Sequence, residues 1–267
     1  SNNIGGGPQV WNCIQDHRGM IYVCDMGGII EFNGREWKRI DNANHSIVRH
    51  MAIDSPGRIY AGCSDDFGYL QPDHQGRMKF VSLAQPVFDQ KIKFHDIWRV
   101  LSTKHGIYFC SNKYVFRYFK KEVTTIPVDF YVQDAYLIND QIYLPTHKGI
   151  IQLCDTSQVL ISKKIFFDIT PWKGAEFLGI NHKGQLITFH LQTGDSNLFQ
   201  SPVQDLLRLE NPTGIYRIDK DLFAITTEKN RVIVLSNDGK IIQMVNSENG
   251  LMNGSLYHLF VDRDKNI

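Results

Sequence analysis

One short phrase recurs six times along this chain, and its period limits the folds open to it more than any other feature. The phrase is a turn, an Ile-Tyr-like pair, a small or polar break, and a second apolar run. The pairs are Ile21-Tyr22, Ile59-Tyr60, Ile107-Tyr108, Ile142-Tyr143, Leu186-Ile187 and Leu222-Phe223. Their first residues are 38, 48, 35, 44 and 36 apart, and Ile267 falls 45 further on as the first residue of a seventh pair. A period of about 40 residues marks a repeated supersecondary unit.

The first copy shows what the unit contains. Val10 to Gln15 reads as a strand, and Asp16-His17-Arg18-Gly19 is a tight turn with Asp first and Gly last. Met20 to Cys24 is rich in strand formers, Asp25-Met26-Gly27 breaks it, and Gly28-Ile29-Ile30-Glu31-Phe32 is a third strand. Asn33-Gly34 is a strong hairpin signal, and Trp37 to Ile40 supplies a fourth strand. The later copies keep this grammar. Asp54-Ser55-Pro56-Gly57, Asn181-His182-Lys183-Gly184 and Asp262-Arg263-Asp264-Lys265 repeat the first turn, and Gln75-Gly76 and Asp238-Gly239 repeat the hairpin. The fifth copy, Phe177 to Leu209, is the most degenerate.

Four antiparallel strands repeated at this spacing predict an all-β fold, a β-propeller. A β-helix needs shorter coils, and no long stretch shows the spacing of three and four that helical repeats require. Six full repeats and the first strand of a seventh predict a single propeller domain over 1–267, seven-bladed with its last blade truncated, as a fragment of a longer protein. Six blades, with 255–262 pairing beside the N-terminal segment, is the alternative. Innermost strands are expected near 10–15, 47–53, 96–102, 132–138, 176–181, 214–218 and 255–261. Trp37, Tyr22, Tyr60, Tyr108 and Tyr143 are expected to be buried between blades.

Composition excludes several classes. The 267 residues are 42% hydrophobic and 12% aromatic, ample for a packed core. Lysine and arginine number 29 against 28 acidic residues, with no basic stripe, so nucleic acid is not expected as a partner. No apolar run reaches membrane-spanning length. Of the five cysteines, Cys24, Cys63 and Cys110 hold near-equivalent places three or four residues past their Ile anchors, and all five are expected as free thiols.

No catalytic motif is present. Gly5-Gly6-Gly7-Pro8 lacks the Lys and Ser or Thr of a phosphate loop and precedes a strand. The ten histidines are scattered, so neither metal nor cofactor is expected. Asp16, Asp54 and Asp262 recur before turns because an Asp side chain accepts from backbone N–H groups two residues on. Ligand chemistry is expected instead on the loops that enter innermost strands or join second to third strands, which a propeller gathers at one mouth. The wider set includes His45, Arg49, Asp65, Asn112 and Asn253. The ligand-binding candidates are Trp11, Asp66, Trp98, His147 and Glu228. Indoles beside carboxylates and an imidazole can stack on a sugar face and bond its hydroxyls.

The first copy, with its Gln-Asp-x-x-Gly turn, Gly-Ile-Ile-Glu-Phe and Asn-Gly-x-x-Trp, resembles the two-component regulator propeller repeat. Glu248 to Gly254 followed by Leu259 to Ile267 is similar to that family's inter-blade phrase, with Lys265 where a Gly is usual. Ile59-Tyr60-Ala61-Gly62 to Asp66-Phe67-Gly68-Tyr69 resembles the second blade of the branch whose sensors carry a triple-tyrosine domain after the propeller. The resemblance implies a periplasmic or extracellular sensor region of a bacterial membrane-bound signalling protein, with a histidine kinase as the usual output. It implies a small polar ligand, such as a glycan, with the remainder of the same membrane-anchored chain as partner; a homodimer is expected in the full-length protein, and the absent motifs and scattered histidines predict no enzymatic activity in this region. The alternatives from other classes are a propeller-scaffold carbohydrate-active enzyme and a protein-interaction platform.

Overall fold

The structure is a computed structural model that describes residues 9–40, 46–174, 176–190, 193–251, 256 and 258–267. Gly5 to Pro8, His45 and Asn253 lie outside the described residues. Among the described residues six antiparallel meanders of four strands form, one per repeat. The first holds β1 (Val10–Gln15), β2 (Ile21–Asp25), β3 (Gly28–Phe32) and β4 (Trp37–Ile40). The second holds β5 (Val48–Ile53), β6 (Ile59–Cys63), β7 (Phe67–Pro72) and β8 (Met78–Ser82), followed by the short helix α1 (Gln85–Asp89). The third holds β9 (Arg99–Thr103), β10 (Gly106–Cys110), β11 (Tyr114–Phe119) and β12 (Glu122–Pro127). The fourth holds β13 (Tyr136–Ile138), β14 (Gln141–Thr146), β15 (Gly149–Cys154) and β16 (Ser157–Ser162). The fifth holds β17 (Asp168–Pro171), β18 (Glu176–Ile180), β19 (Leu186–His190) and β20 (Ser196–Leu198), followed by α2 (Val203–Glu210). The sixth holds β21 (Pro212–Arg217), β22 (Leu222–Thr227), β23 (Arg231–Ser236) and β24 (Ile241–Val245).

The chain divides into two compact units, residues 1–147 with 153–158, and residues 148–152 with 159–267. In the first unit, β1 packs on β5 and β5 on β9, so the first strand of each sheet is the inner one. The core between these sheets holds Tyr22, Ile29, Met51, Ala61 and Leu70, then Tyr60, Phe67, Ile97, Phe109 and Phe116. Stacking of Phe67 on Phe116, with centroids 5.0 Å apart, adds ring-specific attraction to area burial. In the second unit β17 packs on β21, and Leu178, Ile180, Phe199, Phe223 and Leu235 fill the space with one face of α2.

Local chemistry explains the elements. Asp16 Oδ1 accepts from the backbone N–H groups of Arg18 and Met20 at 2.9 and 3.0 Å, and Asp54 Oδ1 accepts from Arg58 N at 2.7 Å. Gly34 sits at φ 87°, the left-handed conformation the Asn33-Gly34 hairpin needs. Tyr22, Tyr60, Tyr108 and Tyr143 are all buried, and the five cysteines are thiols.

Four expectations are corrected. The seven-bladed reading gives way to six four-stranded sheets. No strand forms among the described residues of 255–261; Ser255 and Tyr257 lie outside them, as do residues 1–8 of the proposed pairing partner. That segment is held by side-chain packing, with Leu259 buried against Ala224, Val232 and Val234, and by the Thr213 hydroxyl on the Leu256 carbonyl at 2.9 Å, instead of by a ladder. In the fifth copy the inner strand is β17, at 168–171, so 176–181 is its second strand and Asn181 to Gly184 joins the second strand to the third. Trp37 is 41% exposed on the outer strand β4, where it stacks on Phe32 at 4.4 Å.

Candidate functional site

In the first unit the inner strands carry a repeated device. Asn12 on β1 accepts from Met51 N on β5 at 2.9 Å, and His50 on β5 accepts from Val100 N on β9 at 3.3 Å. Arg99 on β9 pairs with Asp134 at 2.7 Å. Each tie hands one sheet to the next, and the residue before each tie is Trp11, Arg49 or Trp98. The ladders of β1 and β5 slip at Val10/Asn12 and Val48/His50, which leaves Trp11 and Arg49 as the extra residues of two β-bulges. A bulge releases its extra residue from pairing and re-aims the side chain.

The three re-aimed or strand-entering side chains meet. The Arg49 guanidinium lies 4.1 Å from the Trp11 ring centroid and 4.8 Å from that of Trp98. The two indoles are 6.2 Å apart and inclined by 68°. Asp96 accepts from Arg49 Nε at 3.0 Å and Nη2 at 3.2 Å, and the Ser64 hydroxyl also donates to Asp96. Trp98 Nε1 donates to Asn112 Oδ1 at 3.0 Å, and Asn112 Nδ2 donates to the Val132 carbonyl at 2.9 Å. Trp11 Nε1 is buried without a hydrogen-bond partner among the described residues. With Arg49 only 12% exposed and Asp96 20%, the pair keeps part of its Coulomb attraction from solvent screening. The cluster is thus charge-balanced, with broad π faces and polar edges.

The structure brings Trp11 and Trp98 together, and within the first unit Asp66 and His147 have partners other than this cluster. Asp66 is 2% exposed, and its Oδ1 accepts from Phe67 N at 2.7 Å and the Ser82 hydroxyl at 2.6 Å. Burial pushes its carboxyl above the usual range, against those two hydrogen bonds. Its side chain anchors β7 to β8. His147 is exposed and meets Phe130 edge-on at 6.0 Å. Glu228 belongs to the second unit, is exposed, and accepts from Asn211 Nδ2 at 2.9 Å. Arg49 and Asn112 fell in the wider loop set from sequence, whereas Asp96 did not. Its position two residues before Trp98, on the same side of an extended chain, was the available signal. No group of three or more His, Cys, Asp or Glu among the described residues is placed to hold a metal ion. No helix among them is long and apolar enough to cross a membrane.

No protein-family profile matches the sequence, and no curated protein matches it. Solved structures do. The chain is similar to the extracellular domain of the putative hybrid two-component system BT4673 from B. thetaiotaomicron, at 13% identity and TM-score 0.68, covering 99% of this chain and 37% of that one. It is similar to virginiamycin B lyase from Staphylococcus aureus, at 12% identity and TM-score 0.66, covering 92% and 85%. The WD40 propeller domain of Doa1 matches at 10% identity and TM-score 0.61, covering 91% and 84%. At these identities the likeness establishes the fold class alone, an all-β propeller, to which this chain brings six four-stranded sheets among the described residues. The chain spans little more than a third of the BT4673 domain.

Proposed function

We propose that this propeller is a ligand-sensing region on the outer side of a bacterial membrane-bound signalling protein, of the two-component sensor type. The observation that carries the reading is the Trp11–Arg49–Trp98 cluster, built by two β-bulges and backed by Asp96 and Asn112. Likeness to the BT4673 extracellular domain and the repeat grammar of the first two copies support the signalling context. A neutral, hydroxyl-rich ligand such as a glycan suits the cluster. Its ring face lies on an indole, and its hydroxyls reach the remaining Arg49 donors. Such a ligand shifts the output only by its differential affinity for two states of the whole protein.

The test is a thermal-shift screen of glycans and small metabolites on the purified chain, repeated with Trp11→Ala and Trp98→Ala. A hit should weaken by about tenfold or more in both variants, in line with the loss of about 1.4 kcal/mol of ring contact. A hit whose stabilisation is unchanged in both places the site elsewhere. Turnover of the hit, followed by chromatography, would favour the carbohydrate-active enzyme reading instead.

A further inference from the structure

The repeat breaks its own pattern in the third copy. In the first, Arg18 Nη2 bridges Asp16 and the Tyr22 hydroxyl, at 2.7 and 3.1 Å. In the second, the Tyr60 hydroxyl donates to Asp54 at 3.2 Å. In the third the Asp position is Thr103, which turns back on its own hairpin: its hydroxyl donates to the Gly106 carbonyl at 3.0 Å and accepts from His105 N at 2.9 Å. A cavity of about 460 Å³ opens there, wholly within the first unit, with Tyr108, Ile142 and Leu153 among its walls. This is large enough for a small organic molecule.

Arg117 on β11 is the fixed charge of this cavity. Its side chain is 17% exposed, its Nε donates to the His105 carbonyl at 2.9 Å, and the Phe119 ring lies 5.0 Å from the guanidinium. The fork is therefore oriented before any ligand arrives. Its acidic partner is Asp155, which is 71% exposed on the β15–β16 turn at φ 58°. An exposed carboxylate is well hydrated and gives up such a contact at little cost. The other carboxylate in the wall, Asp140, is held by Lys104, through Nζ at 3.1 Å and the backbone N–H at 3.2 Å. When Asp155 turns out to solvent, Arg117 is left as the charge that needs an anion, beside an apolar wall.

We propose that this cavity binds a small organic carboxylate, an acid group carried on an apolar ring or short chain. The carboxylate takes the place of Asp155 on Arg117, and the apolar body lies against Ile142, Leu153 and the Tyr108 ring. This site is independent of the indole cluster. Guanidinium and carboxylate match as two parallel hydrogen bonds, which a lysine ammonium cannot reproduce.

The experiment is isothermal titration calorimetry of the purified chain with phenylacetate and hexanoate, against benzylamine and benzyl alcohol. The two acids should bind, and the amine and alcohol should not. Arg117→Lys should weaken the acids by about tenfold. Asp155→Asn, a surface change that does not threaten folding, should tighten them by about threefold, because it removes the competing carboxylate. Trp98→Ala should leave them unchanged. The proposal is overturned if neither acid binds up to about 10 mM, a free energy near 2.7 kcal/mol. It is also overturned if the amine or alcohol binds as well as the acids, or if Asp155→Asn weakens binding.

Discussion

The side-chain carbonyl of Asn12 accepts the backbone N–H of Met51 at 2.9 Å, thirty-nine residues away and fully out of water. It joins the inner strands of two sheets at a point where neither strand's own ladder supplies a partner. Asn12→Ala leaves the Met51 N–H buried and unpaired, which costs about 1–3 kcal/mol. Asn12→Asp retains the acceptor but buries a carboxylate, and should also destabilise. Urea unfolding measures both; an Ala variant within about 0.5 kcal/mol of the parent would show that the tie is not made.

Alkaline pH should unfold the protein through its buried tyrosines. Burial pushes the Tyr22 and Tyr60 hydroxyls up to about 12. A group whose folded value lies above its unfolded value, about 10 for Tyr, binds its proton more tightly when folded. Its stabilisation is therefore complete below about pH 10 and is lost as pH rises from 10 towards 12. Tyr22→Phe and Tyr60→Phe should each flatten the fall in stability over that window. Tyr60→Ala, by contrast, should cost about 3–5 kcal/mol at neutral pH through the void it leaves.

The glycines that open two third strands rank each other. Gly28 and Gly149 sit at φ 129° and 130°, a region L side chains rarely adopt. A Cβ at Gly28 would meet the Ile40 carbonyl oxygen at 3.1 Å, whereas at Gly149 it would meet the Ser162 carbonyl oxygen at 1.9 Å. Both Ala variants should lose more than about 1 kcal/mol, with Gly149→Ala clearly the worse. Thermal denaturation of the pair checks the order, and equal losses would show that strained backbone alone sets the cost.

Much of the fold was legible because turn chemistry is local. Asp16, Asp54 and Asn33-Gly34 fix their turns with bonds to residues within four positions, so the sequence carries the whole instruction. The same locality misled at the fifth copy. Asn181 fixes its turn through Lys183 and Gln185 just as Asp16 does, yet it joins the second strand to the third. A turn signal names a hairpin and not which hairpin of the sheet. Trp37 shows a related limit: a place in the repeat does not set burial, and on the outermost strand β4 the ring stays 41% exposed. At the site, the indoles could be found from their place before inner strands. The bulges could not: each slips inside its own hairpin, and its effect appears only where Arg49 of one sheet meets Trp11 of another.

The inner-strand ties differ in kind from one sheet to the next: an amide oxygen on a backbone N–H, an imidazole nitrogen on a backbone N–H, then a guanidinium on a carboxylate. Repeats built on one plan would otherwise be interchangeable, and a chain of near-copies could collapse with its members in the wrong sequence. In the first unit three successive seams carry three different side chains. A third copy moved to another seam would set the Arg99 guanidinium without Asp134 opposite it, so the place of that copy is written into its seam.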